Sequence, residues 1–263
     1  MIKHIFSDMD HTLLNEKSKL TPATIATIQQ LTIPFTCVSA RAPQEMLAVI
    51  NQLKLKGPQI AFNGGLIFEK AAEHIKYLNR KPILPTNARA IINLIHTQFP
   101  ETSLSWYNQN TWFTFKLDAG VKFEHQVNGT MPQVVMSPNY QEDIYKIMII
   151  EFNHAQKAQI AKAVTRLGLT NVIAKSTGAD YYEITTRAAT KDAGVRFIQQ
   201  KENLIKDEMM AFGDGENDLP LLNAIGSSVA MGNALPEVKK AAKIITRSNQ
   251  EDGVAFELKK LLK

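Results

Sequence analysis

The segment HIFSDMDHTLLNE, residues 4–16, decides the fold of this chain. A short apolar run at residues 2–6 predicts a buried strand, and Asp8 and Asp10 follow it directly. Two carboxylates one residue apart at the end of a buried strand repel each other and lose hydration. We therefore expect other parts of the chain to help hold a cation there, which would offset this cost.

The composition of the 263-residue chain is that of a globular protein, with 44% hydrophobic and 21% charged residues. The net charge of +5 comes from scattered basic residues, so we expect a small anionic substrate and no nucleic-acid partner. The single cysteine, Cys37, excludes an internal disulfide and is consistent with a reducing compartment. No targeting signal or membrane-spanning stretch is recognisable, so we expect a cytoplasmic protein without a membrane partner. The oligomeric state stays open.

Strand-like and helical segments alternate at both ends of the chain, which is typical of a parallel sheet with crossover helices. The middle of the chain has a mixed α+β pattern instead. The predicted fold class is therefore α/β, with a Rossmann-like parallel-sheet core and an inserted α+β domain. The predicted elements of the insertion include a helix at residues 88–99 and strands at residues 103–107, 111–117 and 145–152.

Polar side chains follow three strands of the predicted sheet. The first strand ends in the acid pair described above, Ser39 follows the strand FTCV, and the cluster GDGEND at residues 213–218 follows the strand MMAF. Ligands of open parallel sheets bind at the carboxyl ends of the strands, so we expect these groups to meet at one edge. Mg²⁺ takes carboxylate oxygens together with water and phosphate. The sequence thus predicts a Mg²⁺ ion, beside a phosphate, that neutralises Asp8 and Asp214 together.

Four short motifs resemble the signature motifs of the haloacid dehalogenase (HAD) superfamily. They are DMDHT at residues 8–12, SAR at residues 39–41, Lys191 in TKDAG, and GDGENDLPLL at residues 213–222. Their order, and the insertion between the second and third motifs, resemble the Cof-type phosphatases with an IIB cap. The resemblance covers essentially the whole chain, and its first and fourth motifs are the most specific. The domains it implies are a HAD core at residues 1–81 and 187–263 and a cap at residues 82–186.

The resemblance implies a phosphoryl-transfer mechanism. Asp8 would attack the phosphoryl group and form an aspartyl-phosphate, and Asp10 would act as general acid and then as general base. Ser39 and Lys191 would hold the transferring phosphoryl oxygens. Asn217 would orient the lysine or the phosphate. The implied Mg²⁺ ligands are Asp8, the backbone carbonyl of Asp10, Asp214 and, directly or through water, Asp218.

Further residues are expected to border the bound phosphate or substrate. The resemblance places Ala40, Asn63 and Gly64 there, because a loop like NGG borders the active site and glycine permits close backbone approach. Arg41 either binds substrate or forms a surface ion pair. Four aromatic residues of the insertion form either a specificity surface or part of its core, namely Trp106, Tyr107, Trp112 and Phe115.

Three residues depart from the family pattern without removing a catalytic group. His11, Ala40 and Asp192 each stand where the family commonly has glycine. A carboxylate beside the phosphate-binding lysine would weaken its field, so we expect Asp192 to point outward and to cap the helix that follows.

The function that this pattern favours is Mg²⁺-dependent hydrolysis of a small phosphorylated metabolite, either a sugar phosphate or a cofactor phosphate. A phosphomutase and a non-catalytic sugar-phosphate sensor on the same fold are the alternatives. A receiver-type signalling domain also uses an acid pair and Mg²⁺, but it is shorter and has no inserted domain. Asp8 and Asp10 are both present, which favours an enzyme over a sensor.

Overall fold

The computed structural model describes residues 1–71 and 74–262, and these divide into two compact units. Unit 1 comprises Met1–Arg41, Met46–Asn79 and Thr190–Lys263, and unit 2 comprises Ala42–Glu45 and Arg80–Ala189. None of the helices in the described part of the chain is long and apolar enough to cross a bilayer. The domain limits expected from the sequence, 82–186 for the insertion, stay a prediction.

The described residues form the following strands and helices. The strands are β1 (His4–Asp8), β2 (Phe35–Val38), β3 (Pro58–Ala61), β4 (Leu66–Ala71), β5 (His74–Arg80), β6 (Ser103–Tyr107), β7 (Trp112–Thr114), β8 (Gln133–Val134), β9 (Lys146–Ile150), β10 (Val172–Ser176), β11 (Tyr181–Thr186), β12 (Met209–Gly213), β13 (Ser227–Ala230) and β14 (Ile244–Ile245). The helices are α1 (Pro22–Gln29), α2 (Pro43–Leu53), α3 (Pro85–Gln98), α4 (Ala119–Asn128), α5 (His154–Arg166), α6 (Lys191–Lys201), α7 (Leu219–Ala224), α8 (Pro236–Ala241) and α9 (Gly253–Leu258).

The sheet of unit 1 has the strand order β14-β13-β12-β1-β2-β3-β4-β5 within the described residues. β1 is central and pairs in parallel with β2 on one side and with β12 on the other. The strands from β14 to β3 are all parallel, whereas β4 runs antiparallel to β3. Every residue of β1, β2 and β12 is buried, as expected for the central strands of a parallel sheet. The carboxyl ends of these three strands therefore lie side by side.

The turn after β1 fixes the direction in which the chain leaves the sheet. His11 has φ +57°, in the left-handed region that favours glycine, so it adopts the conformation suited to the glycine usual in the family. Asn233 Nδ2 donates to the carbonyl oxygen of His11 at 2.8 Å. The Leu14 N–H donates to the Met9 carbonyl at 2.8 Å and closes the turn. The turn therefore forms with a histidine at this position.

Unit 2 contains a second, mainly antiparallel sheet with the order β10-β11-β9-β6-β7-β8 among the described residues. One face of this sheet packs against α3 and α5 in an apolar cluster that includes Ile91, Ile147, Ile149 and Ile160. The parallel core and the second α+β unit confirm the predicted fold class.

Two strands of unit 2 are shorter than expected. β9 covers Lys146–Ile150 of the predicted 145–152, and β7 covers only Trp112–Thr114 of the predicted 111–117. The Thr114 hydroxyl accepts a hydrogen bond from the Lys116 N–H, which bends the chain. Asp118 then accepts from the Val121 N–H and begins α4. The β-branched and aromatic composition of this segment predicted an extended strand, but these local side-chain bonds end it early.

Gly64 lies where two parts of unit 1 come into close contact. Its φ is +93°, and a Cβ added there would lie 2.3 Å from the carbonyl oxygen of Thr190, the residue that precedes α6. The sequence placed Gly64 beside the substrate because glycine permits close approach. In the structure, the group that approaches closely is the start of α6.

We expect Gly64→Ala to destabilise the protein more than Gly178→Ala, a matched control with φ +87° and open space around the added Cβ. Both alanines adopt a left-handed conformation that costs about 1–2 kcal/mol. Gly64→Ala adds the overlap with Thr190, for roughly a further 1–3 kcal/mol. Urea unfolding of both variants measures the difference, and equal losses of stability would contradict the close-contact explanation.

Candidate active site

The centre of the candidate site is the buried ammonium of Lys191, at the start of α6. Its Nζ lies 2.5 Å from Asp8 Oδ1 and 2.6 Å from Asp218 Oδ1. Lys191 is 1% exposed and Asp218 is 0% exposed, so these charges have little solvent to screen them. The structure thus brings together three residues that the sequence predicted at the site, from β1, from α6 and from the loop after β12.

Asp218 is held by contacts to both of its carboxylate oxygens. While Oδ1 accepts from Lys191, Oδ2 accepts from the backbone N–H groups of Asp214 and Gly215, each at 3.0 Å. The Asp218 side chain can approach the backbone of this loop so closely because Gly213 has no side chain. A Cβ at Gly213 would lie 2.5 Å from Asp218 Cβ. These contacts make Asp218 the residue that positions Lys191 and orders the loop after β12.

Asp214 is oriented by a hydroxyl group from the loop after β1. Thr12 Oγ1 donates to Asp214 Oδ1 at 2.6 Å, which joins the first and fourth motifs. Carboxylate oxygens of Asp8, Asp214 and Asp218 all lie within 4.8 Å of one another. Thr12 belongs to the first motif, DMDHT, but the sequence alone did not indicate a role for it. Its position four residues after Asp8 is the sequence signal that could have indicated this role.

The charges of this cluster do not balance, because three carboxylates face one ammonium. Burial, and then the charges of Asp218 and Asp214, raise the pKa of Asp8 well above its usual range, although Lys191 opposes the shift. Burial, and then Asp218, also raise the pKa of Asp214. For Lys191, burial alone would lower the pKa, but the charges of Asp218 and Asp8 outweigh it and raise the pKa. A cluster of hard oxygen donors with excess negative charge fits a Mg²⁺ ion.

Asp10 faces a different partner from the other acids. Its carboxylate accepts from Arg41 Nε at 3.0 Å and from Arg41 Nη2 at 2.5 Å, which is a two-point ion pair. Both side chains are partly exposed. Of the two roles left open for Arg41, the structure shows an ion pair, and its partner is the predicted acid–base residue. The Asp10 carboxylate is not part of the group formed by Asp8, Asp214 and Asp218, so only its backbone carbonyl remains a predicted metal ligand.

The loops after β2 and β3 are hydrogen-bonded to each other beside Ser39. Ser39 is buried, and its Oγ accepts from the Arg41 N–H at 3.1 Å. The Asn63 N–H donates to the Ser39 carbonyl at 2.8 Å, and the Phe62 N–H donates to the Arg41 carbonyl at 3.0 Å. Within the described residues, the buried Oδ1 of Asn63 has no hydrogen-bond partner. Ala40 is half-buried beside Ser39 and offers only its backbone to a ligand.

Of the two expectations about side chains near Lys191, the one for Asp192 is wrong and the one for Asn217 stays a prediction. Asp192 does not cap α6, because its carboxylate pairs with Arg196 one turn later and the helix start has no side-chain cap. This ion pair keeps the Asp192 charge off the lysine. Asn217 is exposed and makes no described hydrogen bond to Lys191, which is oriented by Asp8 and Asp218 instead. A contact between Asn217 and phosphate stays a prediction.

Comparison with known families agrees with this arrangement. The sequence profile of the haloacid dehalogenase-like hydrolases matches residues 5–258. The chain belongs to the haloacid dehalogenase-like hydrolases. This confirms the resemblance seen in the four motifs and identifies the protein as an enzyme of the HAD superfamily.

Relatives of this HAD hydrolase match it over nearly their whole length. A Haemophilus influenzae protein, named as a candidate phosphatase, is 30% identical over 274 residues and 97% of each chain. A Bacillus subtilis protein, named 5-amino-6-(5-phospho-D-ribitylamino)uracil phosphatase, is 26% identical over 96% of this chain and 94% of its own. A solved structure from Thermotoga maritima matches with a TM-score of 0.90 at 24% identity, over 99% of this chain and 97% of its own. At that identity the structural match supports the fold alone.

We expect Asp214→Asn to raise the melting temperature of the metal-free protein by a few degrees. Burial and the Asp218 charge raise the pKa of Asp214, so the folded state disfavours the charged form at neutral pH, and a neutral amide removes that penalty. The amide oxygen can still accept from Thr12. Glu216→Gln, at an exposed acid of the same loop, is the control and should leave the melting temperature unchanged.

Thermal unfolding in a chelating buffer measures this effect. A melting temperature of Asp214→Asn below that of the wild type would contradict the charge excess described for this cluster.

Proposed function

We propose that this HAD hydrolase is a Mg²⁺-dependent phosphatase that transfers the phosphoryl group of a small phosphomonoester to Asp8. The observation that carries the proposal is the buried contact between Lys191 and Asp8, with Asp214 close by. The two relatives named as phosphatases support the same reaction.

The donors of the cluster fit a hard divalent cation. Asp8, Asp214 and the backbone carbonyl of Asp10 would hold Mg²⁺ directly. Asp218 would act through water, because its oxygens already accept three hydrogen bonds. When bound, the ion would neutralise carboxylate charge and the negative charge of the phosphoryl oxygens.

Lys191 and Ser39 have donors left for the phosphoryl oxygens. An ammonium group has three N–H donors, and Lys191 uses two of them on Asp8 and Asp218. The Ser39 oxygen accepts from a backbone N–H, which leaves its own hydrogen free to donate. Both side chains are buried, so their positions are set before a substrate binds.

The reaction proceeds in two steps at Asp8. A carboxylate oxygen of Asp8 forms a bond to phosphorus while the bond to the substrate oxygen breaks, and Asp10, which enters this step in its protonated form, gives its proton to the departing alcohol. Water then attacks the phosphorus of the aspartyl-phosphate, and Asp10 takes a proton from it. The bond between phosphorus and Asp8 breaks, and inorganic phosphate leaves. The two-point contact with Arg41 orients the carboxylate form of Asp10, which is the form that takes the proton from water.

The test uses purified protein with a panel of sugar phosphates and cofactor phosphates, with Mg²⁺ and after chelation. We expect Asp8→Asn to abolish turnover because an amide is not a competent nucleophile. Asp10→Asn should retain Mg²⁺ binding through its backbone carbonyl and lose roughly 10²–10⁴-fold in kcat. Glu216→Gln is the surface control.

Phosphate release gives the rates, and intact-protein mass spectrometry detects the phosphorylated enzyme. Wild-type turnover by Asp8→Asn, or full activity in protein shown by elemental analysis to be metal-free, would exclude this mechanism.

We further propose that unit 2 determines which phosphomonoesters are hydrolysed. The face of its sheet opposite the apolar cluster carries charged and polar side chains. Lys146 is buried there, 3.7 Å from Glu183 and 4.5 Å from the centre of the Tyr107 ring. On the same unit, Tyr181 donates to Glu124 at 2.8 Å. Buried charges are costly unless they are paired, and the presence of these polar and charged groups on one unit supports a role in selecting substrates.

We expect Glu183→Gln and Lys146→Met to change the relative rates across the phosphate-ester panel while leaving Mg²⁺ affinity nearly intact. Lys162→Met, at an exposed lysine of the same unit, is the matched control. Melting temperatures identify variants that are merely unfolded. If every folded variant scaled all substrates by one common factor, unit 2 would not select the substrate.

A cellular location and a class of partner complete the proposal. We propose a cytoplasmic enzyme that acts on a small phosphorylated metabolite and has neither a nucleic-acid nor a membrane partner. The fully buried Cys37 thiol is consistent with a reducing compartment.

A further inference from the structure

A histidine lies buried at the far end of the strand that carries Asp8. His4 is the first residue of β1 and is fully buried, and the next two residues of the strand are Ile5 and Phe6. A polar ring in the core is unfavourable unless its nitrogens are hydrogen-bonded. Neither the proposed reaction nor the Mg²⁺ site uses His4, so its place in the core requires another explanation.

Both ring nitrogens of His4 have partners, and the partners come from two different parts of unit 1. Nδ1 lies 2.7 Å from Oε2 of Glu202, the residue that follows α6. Nε2 lies 2.9 Å from Thr36 Oγ1 on β2. The Phe6 ring is stacked against the imidazole, with ring centroids 4.4 Å apart. The imidazole is therefore held at both nitrogens and on one face.

The hydrogens of these contacts follow from which atoms are able to donate. Thr36 Oγ1 lies 2.7 Å from the carbonyl oxygen of Pro58, and a carbonyl has no hydrogen, so the one hydroxyl hydrogen of Thr36 is donated there. His4 Nε2 must then donate to the Thr36 oxygen. At Nδ1 the acceptor is the Glu202 carboxylate, which is partly exposed to solvent. A ring that donates from both nitrogens is an imidazolium, so His4 and Glu202 form an ion pair.

The surroundings of the ring stabilise its positive charge. The Glu202 carboxylate neutralises the charge at short range, and a cation is favourable over the face of Phe6. Among the described residues, Glu202 is the only charged residue that forms a hydrogen bond or ion pair with the ring. The link from β1 to the end of α6 therefore consists of this one ion pair.

The ion pair lies at the opposite end of α6 from the candidate active site. α6 begins at Lys191, which contacts Asp8 at the carboxyl end of β1, and Glu202 follows α6 and contacts His4 at the amino end of β1. The 11 residues of α6 span about 16 Å, and the four-residue step from His4 to Asp8 spans about 13 Å. The strand and the helix are therefore joined by an ion pair at each end.

Contacts at both ends restrict a movement that apolar packing permits. Val195 and Ile198 bury the middle of α6, but apolar contacts are not directional and allow small sliding along the helix axis. A charge-assisted hydrogen bond fixes the distance between its two partners. Sliding of α6 would move Lys191 relative to Asp8, and a misplacement of about 1 Å in an active site can cost about 10²-fold in rate.

We infer that His4 and Glu202 are positioning residues, and that their ion pair fixes the far end of α6 and thereby sets the place of Lys191 beside Asp8. The effect on the rate rests on the proposed phosphatase reaction, whereas the ion pair and the Lys191 contact can be measured without substrate. His4 lies at the other end of β1 from Asp8, so it acts only through the helix.

The first test is NMR of the full-length, ¹⁵N-labelled protein without substrate. Long-range ¹H–¹⁵N spectra should show both ring nitrogens of His4 protonated at neutral pH, and His4→Leu identifies the signals. Buried, hydrogen-bonded protons exchange slowly, so the Lys191 ammonium should give a signal that Lys191→Met lacks. We expect Glu202→Ala to shift or broaden that signal. Lys201→Met, which removes a surface ion pair with Glu69 at the same end of α6, is the matched control and should leave it unchanged.

The second test is the rate of phosphomonoester hydrolysis. We expect His4→Leu and Glu202→Ala each to lower kcat by roughly tenfold, because both release the far end of α6. The double variant should lose no more than the more affected single variant, because the two substitutions remove the same contact. The melting temperature of His4→Leu should fall little, since an apolar side chain in place of a buried ion-pair partner is often neutral for stability. Lys201→Met should keep the wild-type kcat.

Three results would overturn the inference. They are a neutral His4 ring in the wild type, a Lys191 signal that Glu202→Ala leaves unchanged, and kcat values of His4→Leu and Glu202→Ala equal to that of Lys201→Met. A wild type that hydrolyses no phosphomonoester would contradict the proposed function instead, and the NMR spectra would still decide whether the ion pair positions Lys191.

Discussion

The buried ammonium of Lys191 is the interaction on which the rest of the site depends. It contacts Asp8 and Asp218 in a region with little solvent, where two unpaired carboxylates would be strongly unfavourable. One lysine cannot balance Asp8, Asp214 and Asp218 together. The remaining negative charge fits a bound cation, which is the basis of the proposed phosphoryl transfer to Asp8.

Two glycines near this ion pair are also needed for its geometry. The absence of a side chain at Gly213 lets Asp218 turn back toward Lys191, and the absence of one at Gly64 lets the start of α6 approach. Thr12 fixes Asp214 from the loop after β1. The position of the lysine is therefore set by backbone packing as much as by charge, and the site is ordered before any substrate arrives.

The sequence predicted the parts of the site that follow from topology. Asp8, Ser39 and Asp214 were expected together because the ends of parallel strands share one edge of a sheet, and the family resemblance added Lys191. The sequence did not predict what depends on side-chain contacts between distant segments. Arg41 pairs with Asp10 across 31 positions, and Thr12 reaches Asp214 across 202. Asp192 was expected to cap α6, but an arginine one turn later attracts it instead.

The most direct test of the charge imbalance is calorimetric titration of Mg²⁺ into the metal-free protein, in buffers that differ in ionisation enthalpy. Because the pKa values of Asp8 and Asp214 are raised, these carboxylates hold protons at higher pH than ordinary carboxylates do, and Mg²⁺ binding must displace any proton held there. We predict one bound ion per chain, with a net release of protons that falls as the pH rises. An absence of Mg²⁺ binding, or an affinity that Asp214→Asn leaves unchanged, would contradict the account.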